Sequence, residues 1–198
     1  SYLNRMGDIY KLSEKYYPKN SPAAAIIVEI GSDNLEGSTA YFSRLAESKH
    51  TMLVSVDISP LPSQRLAHLR NTEWVVKKGS DYTRDFKWEH GIACLYLDNF
   101  DYIFDIHDLP DWVIEQKQMY KQEWNIDLHN ENCQVEHMKQ MIDLMPNMVS
   151  EGIVVCDDTY PYNDCWIGKA GPAVTYLLAN DYKIVEDNHP NGVILRAP

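Results

Sequence analysis

Asp98, Asp157 and Asp158 are the residues of this sequence best placed to do chemistry. Asp98 follows the apolar run Ile92 to Leu97, and the Asp157-Asp158 pair follows Gly152 to Cys156. If the two runs are neighbouring parallel strands, their C-terminal ends share one edge and three carboxylates meet there. Such a cluster repels itself and its pKa values rise unless a cation compensates. A divalent cation such as Mg²⁺ takes oxygen ligands and keeps waters that substrate hydroxyls can replace. The competing reading is that a strand-end aspartate simply caps the next turn.

A second acidic set lies earlier in the chain. The apolar run Ala23 to Val28 ends at Glu29 and is followed by Gly31-Ser32-Asp33-Asn34-Leu35-Glu36-Gly37-Ser38. An amphipathic helical pattern then begins, so the segment reads as buried strand, tight loop and helix. Glycines at 31 and 37 let bare backbone approach a ligand. A pyrophosphate pocket wants glycines and a helix N-terminus, whereas this loop carries Glu29, Asp33 and Glu36. The implied ligand is nucleoside-like, poor in phosphate and compatible with positive charge. The next apolar run, Met52 to Val56, closes on Asp57, an acid placed to accept hydrogen bonds from both hydroxyls of a ribose.

The elements that must hold these residues follow from periodicity. Strands are expected near 26–30, 52–57, 73–77 and 92–97, alternating with helices over 37–49, 62–70 and 82–88. That alternation predicts a doubly wound, mostly parallel sheet of α/β class. A helix over 134–145 presents Val135, Met138, Met141, Ile142 and Met145 on one side, read as core packing. A further helix spans 170–180. The strands 182–186 and 193–196 are joined by a short Asn-Gly-containing link, which predicts an antiparallel hairpin at the end of the sheet. Residues 1–22 read as a helical segment leaning on the sheet or the ligand. About fifty residues separate the fourth and fifth strands, far more than a βα unit needs. Residues 99–133, with Trp112, Tyr120, Trp124, His107 and His129, are read as an insertion covering the pocket. Tyr160-Pro161-Tyr162 is read either as a wall of the acceptor side or as an ordinary polar loop.

Composition narrows the function classes. The 198 residues fit one domain with a proper core. A formal charge of −11 without a Lys/Arg cluster argues against a nucleic-acid partner. No stretch reaches the ~18 apolar residues of a membrane span. Cys94, Cys133, Cys156 and Cys165 show no CxxC spacing, and no secretory signal is legible, so a reduced, cytoplasmic setting is expected.

The strand-loop-helix with Glu29, Gly31 and Gly37, the strand-end Asp57 and the terminal hairpin together resemble the class I S-adenosylmethionine-dependent methyltransferases, over roughly Ala23 to Arg196. The resemblance implies a Rossmann-like seven-stranded sheet with an antiparallel C-terminal hairpin, which basic nicotinamide-binding domains lack. It implies that the first loop (Glu29, Gly31, Ser32, Gly37, Ser38) holds the methionine end of S-adenosyl-L-methionine and Asp57 the ribose. The loop with Ser80 would lie against the adenine, and Asp98 near the methionine amine. The first loop departs from the usual pattern in being about two residues longer, with Leu35 where a small residue is expected. The cluster Asp98, Asp157 and Asp158 is similar to that of metal-dependent O-methyltransferases of the catechol and macrolide-sugar type. This implies Mg²⁺ or another divalent cation on those three acids. By the same resemblance Asp101 is a candidate base, with His107 as a further candidate for the proton step. The expected activity is methyl transfer to a small-molecule hydroxyl, with no nucleic acid or membrane partner and a homo-oligomer left open. The alternatives are a metal-free or N-directed methyltransferase and a non-catalytic domain that binds the same cofactor.

Overall fold

A computed structural model describes residues 8–32, 35–99 and 109–198. The chain enters through a short 3-10 turn, Ile9–Leu12, and helix α1, Ser13–Tyr16. It then alternates β1 Ile26–Ile30, α2 Ser38–Ser48, β2 Leu53–Asp57, α3 Leu61–Arg65, β3 Thr72–Val76, α4 Gly79–Arg84 and β4 Ile92–Leu97. Two long helices follow, α5 Asp111–Trp124 and α6 Asn130–Leu144, before β5 Met148–Asp157. A small hairpin, β6 Thr159–Tyr162 and β7 Cys165–Gly168, precedes α7 Gly171–Ala179, β8 Lys183–Asn188 and β9 Gly192–Arg196.

The main sheet has seven strands in the order β3-β2-β1-β4-β5-β9-β8. The first five are parallel, and β9 runs antiparallel to both β5 and β8. This is the doubly wound sheet with a terminal hairpin that the sequence predicts. The order reverses between β1 and β4, and in such sheets ligands bind at the carboxyl ends beside that reversal.

β1 is buried on both faces, which is why its sequence is a continuous apolar run rather than an alternating one. Ile26, Val28 and Ile30 point to one layer, where Met141 and Leu144 of α6 and Ala173, Val174 and Leu177 of α7 pack. Ile27 points to the other, against Ile9, Tyr10 and the α2 residues Phe42 and Leu45. The period-2 alternation thus builds two cores, one on each side of the sheet.

Two readings of the elements need correction. The face that α6 buries is Cys133, Glu136, His137, Gln140, Met141 and Leu144, while Val135 and Ile142 of the expected apolar stripe are exposed. Polar residues turn inward because each finds a partner there. Glu136 accepts the Ser80 N–H at 2.7 Å, Gln140 donates to Asn99 Oδ1 at 3.0 Å, and His137 Nδ1 meets the Cys133 carbonyl at 2.8 Å. Apolar periodicity cannot see such pairings. The run 160–162 is a strand of the β6–β7 hairpin rather than a loop. Helix α5 rests on a small separate cluster of Val113, Leu128 and Cys133, apart from both main cores. At about 1.5–3 kcal/mol for each of Val113 and Leu128, this is a modest anchorage.

Candidate functional site

The first loop is shaped by what lies behind it. Gly31 has φ +93°, and a Cβ there would stand 2.2 Å from the carbonyl oxygen of Asp98. The glycine therefore makes room for the end of β4 as well as for a ligand, and the Asp98 N–H pairs with the Ile30 carbonyl at 2.9 Å. Gly37 takes the left-handed cap position of α2 at φ +98°. Leu35 is also left-handed, at φ 80°, and stands exposed, so the longer loop turns its large side chain out to solvent.

Glu29 is wholly buried beneath this loop. Its carboxylate accepts the hydroxyls of Ser38 at 2.7 Å, Thr39 at 2.7 Å and Ser55 at 2.6 Å. It thereby ties β1 to β2 and to the first turn of α2. Glu29 and Ser38, expected from sequence at the ligand, do not border the cleft and hold the loop from beneath. Burial pushes the Glu29 carboxyl up to about 7, with the three hydroxyls pulling the other way. A raised folded-state pKa contributes stability that is whole below the unfolded value near 4.5 and is lost as pH rises to about 7. The melting temperature should carry a downward slope across that window from this group. Glu29→Gln should flatten the slope, as read by thermal melts at matched ionic strength; an unchanged slope would remove Glu29 as its source.

Asp57 lies at the C-terminal end of β2 and faces the cleft. Its two oxygens accept backbone N–H groups, from Ser32 at 2.9 Å and Ser59 at 2.7 Å. A carboxylate has about four lone-pair sites, so two stay available for a diol. Ser32 lines the cleft beside it, with its hydroxyl 2.7 Å from that of Ser55. On the adenine side expected for Ser80, the lining residues are Lys78 and Gly79, and the Ser80 N–H is taken by Glu136.

The three strand-end aspartates do converge, and they converge on a lysine. Lys169 Nζ is 2.5 Å from Asp98, 3.3 Å from Asp158 and 3.8 Å from Asp157, with its side chain 5% exposed. The β6–β7 hairpin is the device that brings it there. Thr159 pairs with Gly168, so the chain returns to its starting point one residue before Lys169. The Lys169 N–H then bonds the Asp158 carbonyl at 3.1 Å. Gly168 permits this closure, because a Cβ on it would fall 1.9 Å from that same carbonyl oxygen. Asp98 also accepts the Tyr96 hydroxyl at 3.1 Å. Burial first, then the charge of Asp98, hold the Asp157 carboxyl well above its usual range, against the pull of Lys169.

This arrangement gives the metal expectation no support. A divalent cation on Asp98, Asp157 and Asp158 would need their oxygens at ~2.0–2.6 Å, in the space the ammonium already fills. Among the described residues, no group of three or more His, Cys, Asp or Glu side chains could hold a metal ion. The donor set is thus already neutralised in part, and Mg²⁺ does not fit it.

These residues border one cleft of about 1240 Å³ at the carboxyl ends of β1, β2, β4 and β5. Seven carboxylates line it (Asp8, Glu36, Asp57, Asp98, Glu123, Asp157 and Asp158) against three cations, Arg65, Lys78 and Lys169. Gln116, Met119, Tyr120, Glu123 and Trp124 of α5 line it too, at helical spacing, so one face of α5 borders it. Tyr160, Tyr162, Asn163, Asp164 and Trp166 do not line it, and Tyr160 instead packs edge-on against His189 at 4.9 Å. Asp101 and His107 lie outside the described residues. Sequence reading missed Lys169, Tyr10 and Arg65. A signal for Lys169 was present, since it is the only Lys or Arg between Gln140 and Tyr182.

No family model matches the sequence, and no curated protein matches it. Solved structures do resemble the fold. One is a Streptococcus mutans protein described as a candidate methyltransferase, solved in complex with SAH, at 10% identity and TM-score 0.55, covering 96% of this chain and 98% of that one. Another is an rRNA methylase from Streptococcus thermophilus at 12% identity and TM-score 0.51, covering 97% and 98%. A third is the O-methyltransferase TomG from Streptomyces achromogenes, involved in tomaymycin synthesis and solved with SAM, at 12% identity and TM-score 0.51, covering 96% of this chain and 77% of that one. At these identities the likeness is one of fold, and the chain has the Rossmann-like fold of these methyltransferases. Among the described residues no helix is long and apolar enough to cross a membrane.

Proposed function

We propose that the chain is an S-adenosyl-L-methionine-dependent methyltransferase acting on a hydroxyl of a small molecule. The observation that carries this reading is the acid-lined cleft at the strand-order reversal, with Asp57 at its ribose position. Such a donor set suits a cationic nucleoside, whereas a dinucleotide would set its phosphates against seven carboxylates. The volume exceeds the ~1,000 Å³ upper range of single small-ligand sites, which leaves room for an acceptor beside the cofactor.

When bound, the cofactor supplies an electrophilic methyl group. The chain's own residues then have three tasks. Asp57 holds the ribose through its two remaining lone-pair sites. Asp98, on the cleft floor, holds the methionine end by charge. The α5 face, with Tyr120 and Trp124, covers the cleft and excludes water while donor and acceptor are aligned. Mg²⁺ is left out of this proposal, because Lys169 fills the place it would take.

The test is transfer of labelled methyl from the cofactor to panels of small hydroxyl compounds, small amines and rRNA. Label in the hydroxyl panel alone supports the proposal. Label in amines or in rRNA reassigns the acceptor, and no transfer to any panel with intact cofactor binding favours a non-catalytic binding domain. The acidic rim argues against rRNA, whose phosphates bind basic surfaces.

A further inference from the structure

The geometry points to Lys169 as an internal replacement for a divalent cation, the group that holds the acceptor oxygen in a metal-independent transfer. This rests on the methyltransferase reading for its chemistry, but not for its test. Three observations support it. The ammonium lies within 2.5–3.8 Å of all three strand-end aspartates. It borders the cleft beside Asp98, Asp157 and Asp158. Its placement is also built rather than incidental. The β6–β7 hairpin, the side-chain-free Gly168, and the Thr159 hydroxyl bridging the Asp157 carbonyl at 2.8 Å and the Ala170 N–H at 3.0 Å all serve to return the chain to this point.

The consequence is chemical. A divalent cation has several coordination positions and can hold two neighbouring substrate oxygens at once. An ammonium offers single hydrogen bonds, so the acceptor class implied is an isolated hydroxyl rather than a catechol or sugar diol. In the step, the acceptor oxygen forms a bond to the methyl carbon as the carbon–sulfur bond breaks. The electron pair of that bond returns to sulfur, leaving a neutral thioether. The hydroxyl proton passes to a carboxylate of the cluster and from there to water. Lys169 stays protonated throughout, and its charge offsets the negative charge developing on oxygen.

The probe is Mn²⁺ alone, with the full chain and no cofactor. Wild-type protein should bind no stoichiometric Mn²⁺ by titration calorimetry or electron paramagnetic resonance, and its melting temperature should not respond to Mn²⁺ or EDTA. Lys169→Ala opens a cavity lined by three uncompensated acids. It should bind one Mn²⁺ at least ~10-fold tighter than wild type, with a saturable rise in melting temperature that EDTA reverses. Should Lys169→Ala fail to fold, Lys169→Gln with Asp158→Asn carries fewer repelling charges, and wild type remains informative by itself. Stoichiometric Mn²⁺ on the wild-type protein would overturn the inference. So would a folded Lys169→Ala protein that is indifferent to the metal. If the cofactor fails to bind while these metal results hold, the methyltransferase reading falls and the lysine's place as the cation stands.

Discussion

Asp57→Ala is expected to weaken binding of S-adenosylhomocysteine by roughly 100-fold or more. Two hydrogen bonds to a charged acceptor are lost, and at about 1.5 kcal/mol each, the low end for such bonds, the total of about 3 kcal/mol is two powers of ten. The loss has a second source in the free protein. Asp57 accepts the Ser32 and Ser59 N–H groups, so its removal also loosens the two loops that frame the ligand. Asp57→Asn separates the two effects, because its carbonyl oxygen keeps one acceptor. It should fall between wild type and Ala. Calorimetry of the three proteins with the demethylated cofactor reads both steps, and equal affinity in wild type and Asp57→Ala would remove Asp57 from the ribose site.

The second large effect is on stability. Lys169→Met keeps the apolar stem of the lysine but takes away the charge among Asp98, Asp157 and Asp158. Breaking a buried ion pair by removing one partner costs about 3–5 kcal/mol, a large share of a domain's total. The sign of its pH dependence follows from the carboxylates. Asp157 already has a raised folded-state pKa, and loss of the lysine raises it further. A group with a raised folded pKa contributes most stability below its unfolded value and loses it as pH rises through the folded value. The variant should therefore melt far below wild type at pH 8 and close part of that gap on acidification toward pH 5. Adding Asp157→Asn to Lys169→Met should recover stability at pH 8, since one of the clustered charges is gone. A variant whose deficit is the same from pH 5 to pH 8 would mean that the lysine's packing matters and its charge does not.

What the sequence revealed, and what it hid, divides along physical lines. The parallel strands were legible because a strand buried on both faces must be continuously apolar, as Ile26–Ile30 and Ile92–Leu97 are. The hairpin β8–β9 was legible from turn chemistry at Asn191-Gly192. Asp57, Asp98, Asp157 and Asp158 were legible because an acid after an apolar run lies at a strand end. The same logic failed wherever a polar side chain found its partner through tertiary structure. The burial of Glu29 is one case, since three hydroxyls from α2 and β2 that no local pattern announces hold it inside. The buried face of α6 escapes apolar periodicity because Glu136 and Gln140 pair with Ser80 and Asn99, far away in sequence, while His137 turns back to the Cys133 carbonyl of its own helix. Lys169 is not legible because nothing in the sequence pattern announces the β6–β7 hairpin that returns it to Asp158. The sequence thus shows the acid cluster without the ammonium that lies among its carboxylates.

The central claim is that the cleft takes S-adenosyl-L-methionine, and calorimetric titration of the wild-type protein tests it most directly. S-Adenosyl-L-methionine and its demethylated product should each bind one per chain with micromolar affinity and compete for one site, while NAD should give no heat of binding. Binding of NAD with no binding of either methionine nucleoside would contradict the account, because the seven carboxylates around the cleft would then be facing phosphates.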